Sequence, residues 1–177
     1  MCGQFHINYA DVEKLEHINI LRYPTKEEIH PTDSSLVIFL YNNEKTGDLF
    51  QFGIQSRYLF INIKSETILS KFSDWITYRR CIIPVSYYYE WDASKTKITF
   101  SSDSLLYMAG VYHNKQFAIL TTEANDSIKP FHNRMPLILD ASEIDTWLYD
   151  REKTFQLLHK IPKDLKNNRR FEQLSLF

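Results

Sequence analysis

The chain reads as a single α+β domain made mainly of antiparallel strands in a barrel-like sheet, with a few short helices covering it. Short aromatic and β-branched runs recur along the sequence with polar breaks between them, as expected of strands in one sheet. Only two stretches have helical character. The 177 residues, 44% hydrophobic and 15% aromatic with only four glycines, suffice for one buried core and are too few for two ordinary domains.

Taken in order, Gln4-Phe5-His6-Ile7-Asn8-Tyr9 alternates like a half-buried strand, which would tie this end of the chain into the sheet. Further strands are expected at residues 36–41 (LVIFLY), 58–63 (YLFINI), 80–83 (RCII), 86–91 (SYYYEW), 105–112 and 117–121. Tyr112-His113-Asn114-Lys115-Gln116 forms a hairpin connection between the last two. Ser65 to Phe72 is a short helix. Asp140, with Glu143 three residues later, opens a second helix in the manner of a capping box. Ile144, Trp147 and Leu148 share one face of it, Phe155 and Leu158 continue the apolar stripe, and Pro162 stops the segment. No repeat, linker or low-complexity tract interrupts the chain. The domain is drawn at residues 1–166, with 167–177 as a C-terminal tail.

A net charge of −1 means that no global basic field announces nucleic acid, so any DNA-binding surface must be a local patch. Two cysteines, Cys2 and Cys81, with no signal-like hydrophobic start, point to a reducing cytoplasm without a disulfide framework. No apolar run approaches the roughly 20 residues that span a membrane. The six histidines show neither HxxxH nor paired Cys/His spacing, so neither a metal nor another cofactor is expected.

The most informative residue is Cys2. Loss of Met1 would put a thiol and a free α-amine on one residue, and both ionise near neutrality, at about 8.5 and about 7.7–8.0. The matching electrophile for such a 1,2-aminothiol is an aldehyde: the amine forms a Schiff base and the thiol closes onto the imine carbon as a thiazolidine. Taken alone, a cysteine at position 2 is more simply an accident on a frayed terminus; the strand pattern after Gly3 argues against fraying.

Three other constellations could serve that chemistry. Tyr87-Tyr88-Tyr89-Glu90-Trp91 sets one carboxylate among bulky rings, where burial would raise its pKa and suit it to proton transfer; an outward glutamate on an alternating strand is the competing reading. Phe131-His132-Asn133-Arg134-Met135-Pro136 packs imidazole, amide and guanidinium before an extended, proline-fixed segment, offering acid–base chemistry and a fork for phosphate. Asn62-Ile63-Lys64-Ser65-Glu66-Thr67 leads into the short helix, whose start would favour an anion, although plain capping by Ser65 or Asn62 explains it as well. Thr121-Thr122-Glu123-Ala124-Asn125 is an ordinary turn signal whose hydroxyls and amide could also meet a phosphodiester backbone.

In this order the pieces resemble the SRAP (SOS-response-associated peptidase) family, known for covalent capture of abasic sites in single-stranded DNA. The resemblance rests on Cys2-Gly3, on Asn62 to Thr67 for a NARSET-like stretch, on Arg80-Cys81-Ile82-Ile83-Pro84 for RCLIP and on Tyr89-Glu90-Trp91 for FYEW. Ala109-Gly110, Thr121 to Asn125, and His132 to Pro136 for HDRMP complete it. It implies an SRAP-like fold and assigns Cys2 as nucleophile after loss of Met1, Glu90 and His132 to proton transfer and sugar opening, and Asn62 to positioning. Lys64, Ser65, Arg80, Thr122, Asn125 and Arg134 would contact DNA. Lys64 stands where the family usually has arginine and Asn133 where it has aspartate. The usual Trp-Gly-Leu-Ile-Pro stretch survives only as Phe52-Gly53-Ile54.

The tail residues Gln173, Leu174, Ser175, Leu176 and Phe177 resemble the pentapeptide with which bacterial partners enter the DNA sliding clamp; a last strand folding back on the domain is the alternative. The leading expectation is a cytoplasmic, nucleoid-associated sensor of abasic single-stranded DNA that crosslinks through Cys2. Two alternatives accompany it: an N-terminal-nucleophile cysteine peptidase, including self-removal of Met1, and a noncovalent single-strand-binding module using Tyr87 to Tyr89.

Overall fold

The computed structural model describes residues 2–169. Its main strands are β1 (Gln4–His6), β2 (Ser34–Tyr41), β3 (Glu44–Phe52), β4 (Asn62–Lys64), β5 (Arg80–Trp91), β6 (Lys97–His113), β7 (Gln116–Glu123) and β8 (Arg134–Pro136). Hydrogen-bonded neighbours run β6–β7–β3–β2–β5, and β5 pairs again with β6, so the sheet closes into a ring. The pairings are antiparallel apart from three among the described residues: β7 with β3, β7 with β4, and Asn19–Ile20 with β3. Helices are short; the longest α-helix described, Arg151–Leu157, has 7 residues. The α+β, single-domain expectation therefore holds, with the sheet dominant.

β5 organises the molecule. β6 runs along one edge of it, while the other edge is shared: β2 pairs with Cys81 and Ile82, and β1 with Tyr87, Tyr88 and Tyr89. Its first half is buried on both faces, Cys81, Ile83 and Val85 joining one apolar cluster and Ile82 another. The first cluster also takes Phe5, Phe52, Tyr88, Phe100 and Phe117, while the second lies under the helices around Trp147 and Leu148. Burial of large side chains contributes about 1.5–3 kcal/mol each, so these clusters dominate the stability of the fold.

Arg80 fastens the helices to the sheet. Its guanidinium donates to the carbonyls of Ile76 (2.9 Å), Thr77 (2.7 Å), Trp147 (2.6 Å) and Leu148 (3.0 Å). These carbonyls lie in the last turns of Ser73–Tyr78 and Ile144–Tyr149, where helix ends leave acceptors unpaired. The second helical segment starts as its sequence indicates, with both halves of the Asp140/Glu143 capping box formed.

The two-residue hairpin at Asn114-Lys115 has positive φ at both positions (48° and 56°), as the right-handed strand twist requires. Asn42-Asn43 makes a second such turn (49° and 63°) between β2 and β3. Gly53 is required by its φ of +110° and by space, since a Cβ there would lie 2.7 Å from Leu59 Cδ1. It opens the short hairpin Ile54–Gln55 with Leu59–Phe60.

Four sequence expectations change. The strand expected over Gln4 to Tyr9 covers only Gln4–His6, because Tyr9–Val12 is a helical turn. The runs at 80–83 and 86–91 are one strand, because β6 pairs with both halves and absorbs the misfit in an irregularity between Ser101 and Leu106. Pro84 lies beside that irregularity, a tolerated site for a residue without N–H. The run at 58–63 splits, since Leu59–Phe60 folds back on the Gly53 hairpin while Asn62–Lys64 pairs in parallel with β7. The helix expected at Ser65 to Phe72 is a 3-10 turn, Ser65–Thr67, followed by one α-turn, Ile68–Lys71.

Candidate active site

The site forms where the shared edge of β5 meets the end of β7. Pairing of β1 with Tyr87, Tyr88 and Tyr89 on one side and Glu28–Ile29 on the other fixes the start of the chain. Cys2, two residues ahead of this strand, is fully buried rather than frayed. Asn62 comes in on β4: its Nδ2 donates to the Cys2 carbonyl at 2.9 Å, while its Oδ1 is buried with no hydrogen-bond partner. Glu90, near the end of β5, is 2% exposed.

Burial governs both ionisable groups. It pushes the Cys2 thiol far above its ordinary range, and the nearby Glu90 carboxylate pushes it further, so the thiol rests protonated. Burial likewise raises the Glu90 carboxyl, with the His132 charge among the influences that draw it back. A carboxyl so perturbed can exchange a proton nearer neutrality than a surface glutamate.

His132 sits in the loop before β8, where its backbone N–H donates to Ile128 O at 3.0 Å. His132 Nδ1 lies 2.9 Å from the Arg134 backbone nitrogen and 3.0 Å from the Arg134 carbonyl oxygen, so that backbone offers a partner to either tautomer and fixes the ring's position. The structure thus links four separate segments: Asn62 holds the Cys2 carbonyl, Glu90 acts on the buried Cys2 thiol, and His132 acts on Glu90.

The residues expected to meet DNA divide. The end of β7 pairs with both β4 and β8, with Thr121 opposite Lys64 on one and Pro136 on the other. Lys64 is exposed at this edge, and Ser65 beside it is 2% exposed with its hydroxyl unpartnered. Arg134 is engaged by a two-pronged pair with Glu66 (2.6 and 2.9 Å), and donates also to Thr121 O (2.6 Å). That guanidinium beside it holds the Glu66 carboxyl below the usual range. Thr122 is buried on β7.

Asn125 is spent internally. Its Nδ2 donates to Pro162 O and Lys163 O (3.0 and 2.9 Å) and its Oδ1 accepts from Ser127, pinning the loop that carries His132. Arg80 is not brought to the site, since it begins the strand on which Glu90 is the eleventh residue, about 33 Å away at strand rise. Its four carbonyl contacts give it a structural task in place of the DNA contact expected of it. Cys2 and Cys81 are both free thiols. The described residues hold no cluster of three or more histidine, cysteine or acidic side chains fit for a metal, and no helix long and apolar enough to cross a membrane. Residues 173–177 lie outside the described residues.

Two residues beside the site are not distinguished by the sequence from their neighbours. Tyr88 sits inside the three-tyrosine run; only the alternation of β5 tells that it shares a face with Glu90 while Tyr87 and Tyr89 turn away. Glu66 lies within the stretch singled out, but its pairing with Arg134, 68 residues on, has no local signal.

A family model described as SOS response associated peptidase (SRAP) matches residues 1–174. The chain is 29% identical to the Bacillus subtilis "Abasic site processing protein YoaM", over 99% of this chain and 92% of that protein. It is also 29% identical to "Abasic site processing protein YoqW" of the same organism, over 84% and 80%. Among solved structures, a Bordetella bronchiseptica protein matches with a TM-score of 0.77 at 20% identity, covering 94% of this chain and 98% of that one. A Bacteroides thetaiotaomicron protein matches with a TM-score of 0.76 at 18% identity, covering 94% and 90%. At these identities the structural likeness speaks for the fold alone.

Proposed function

The chain belongs to the SOS response associated peptidase (SRAP) family, and from that premise we propose that it handles abasic sites in DNA, capturing the open-chain sugar aldehyde covalently on Cys2 after Met1 has been removed. The observation that carries this reading is the burial of the Cys2 thiol, with Asn62 on its carbonyl, Glu90 acting on it and His132 acting on Glu90. The names of the relatives, abasic site processing proteins, supply the substrate class.

The chemistry balances without a cofactor. The α-amine of Cys2 adds to the aldehyde carbon, and loss of one water leaves an imine. The thiol gives up its proton and sulfur adds to the imine carbon, returning the C=N electron pair to nitrogen, which takes a proton; a thiazolidine and one water are the products. His132 assists opening of the sugar ring, and Glu90 passes protons to and from the carbinol and the thiol. Asn62 holds the Cys2 carbonyl, and its unpartnered Oδ1 offers an acceptor to the freed amine. Displacement of Glu66 from Arg134 by a phosphate would exchange one anion for another on the same fork, with Lys64 adding a point charge at the groove edge.

Intact-mass measurement of the Met1-free protein before and after incubation with abasic single-stranded DNA tests the reading. A denaturation-resistant adduct at one per chain, short by one water and lost in Cys2→Ala, is expected. An adduct that persists in Cys2→Ala refutes the assignment. The family description also names a peptidase, and the same thiol is its candidate nucleophile for removal of Met1; turnover of peptides without any DNA adduct would favour that reading instead. The C-terminal pentapeptide adds a separable proposal, recruitment by a DNA sliding clamp.

A further inference from the structure

One buried polar group in the site has no task in the chemistry above. The Tyr88 side chain is fully buried, and its hydroxyl has no hydrogen-bond partner. The ring cannot swing away to find one. Phe5 lies opposite on β1, and Phe100 stacks against the ring with centroids 5.4 Å apart, itself met edge-on by Phe131 at 5.7 Å. A phenylalanine would fill this space equally well, so the hydroxyl contributes nothing to packing and its burial opposes folding.

The surroundings of that hydroxyl are specific. Tyr88 and Glu90 are two residues apart on β5 and project from the same face, and Tyr88 belongs to the same buried cluster as Cys2. Burial raises the phenol, and the charges of Cys2 and Glu90 act on it next. The charged groups that act on it are Cys2, from the segment leading into β1, and Glu90 on its own strand; His132 acts on Glu90, and the loop before it packs on Phe100 through Phe131. β6 contributes apolar groups there. A neutral thiol is a weak acceptor, whereas a thiolate is a strong one.

We infer that Tyr88 is a positioning residue whose hydroxyl donates to the Cys2 sulfur once it ionises, stabilising the thiolate that closes the ring. The bond is absent in the resting thiol and made in the reacting state, so it lowers the barrier without tightening the ground state. The thiol proton leaves to Glu90, and Tyr88 keeps its own. This role rests on the proposed Cys2 chemistry, yet its first consequence, an easier thiolate, can be read without DNA.

The test is Tyr88→Phe in the Met1-free protein, with iodoacetamide alkylation of Cys2 followed by peptide mass across pH, and with the adduct rate on abasic single-stranded DNA as the second measurement. Loss of a hydrogen bond to a charged group should slow alkylation at neutral pH about tenfold or more and move its rising limb to higher pH. The thermal midpoint should stay the same or rise, because an unpartnered hydroxyl has been removed. Adduct formation should slow in parallel and recover towards alkaline pH. Alkylation limbs that superimpose would overturn the inference, as would a variant in which only the limb of the Glu90 carboxyl moves. A parent protein that alkylates as described yet forms no DNA adduct would instead refute the proposed function and leave the thiolate role standing.

Discussion

Arg80→Ala separates a structural arginine from a DNA contact. The guanidinium donates to four carbonyls at the ends of two helices, and the side chain is 9% exposed. Burial lowers its pKa, and no carboxylate is hydrogen-bonded to it among the described residues, so the carbonyls themselves compensate the charge. Each such bond contributes about 1.5–3 kcal/mol, but bonds sharing one donor group are not additive. A net loss of about 3–5 kcal/mol is expected, because buried carbonyls left without a donor cost about 1–3 kcal/mol each without adding in full, or a fall of roughly 10 °C in thermal midpoint for a domain of this size. Differential scanning fluorimetry measures it. DNA affinity of the remaining folded protein, and its salt dependence, should be unchanged. Arg80→Lys keeps the charge but cannot reach all four carbonyls, so it should lose most of the same stability. If instead both variants melt with the parent while Arg80→Ala alone weakens DNA binding and flattens its salt slope by about one, the structural assignment is wrong.

Two further outcomes follow from the electrostatics. Because burial raises the Glu90 carboxyl in the folded state, the folded chain keeps a proton that the unfolded chain has released. Stability tied to Glu90 is thus complete below the ordinary carboxylate range and is lost as pH rises through the raised value. Glu90→Gln should gain stability over the parent across that window while forming adduct about 100-fold more slowly; parallel stability curves, or an unchanged rate, would contradict it. Asp48 behaves oppositely: burial raises its pKa, but hydrogen bonds from Arg22 and Lys115 outweigh this and hold it at about 2. Its contribution, at most about 2 kcal/mol, is present above the ordinary range and lost as pH falls towards 2. Asp48→Asn should lack that acid-side loss in urea melts at pH 2 to 5.

Local patterns made part of this molecule legible. The capping box at Asp140 and the turn at Asn114-Lys115 each encode their geometry in neighbouring residues, and both formed; the alternation from Gln4 became a strand only as far as His6. β3 was missed because its buried positions include Thr46, Gly47 and Asp48, which carry no strand signature. The functional groups of Cys2, Asn62, Glu90 and His132 are readable from residue type, and the roles proposed for them come from the family resemblance. Their convergence is not readable, because it depends on which edge of β5 receives β1 and on β4 reaching β7 in parallel.

The sequence by itself determined that the chain forms one sheet-dominated domain and which side chains are chemically capable, since both follow from local periodicity and functional groups. Only the tertiary structure decided what each group does. It buries Cys2 and Glu90 together so that both titrate out of range, turns Tyr88 inward rather than its neighbours, hands Arg134 to Glu66 and commits Arg80 to helix ends. Those outcomes arise from pairings between residues far apart in sequence, where burial and the available partner, rather than residue type, set charge and contact.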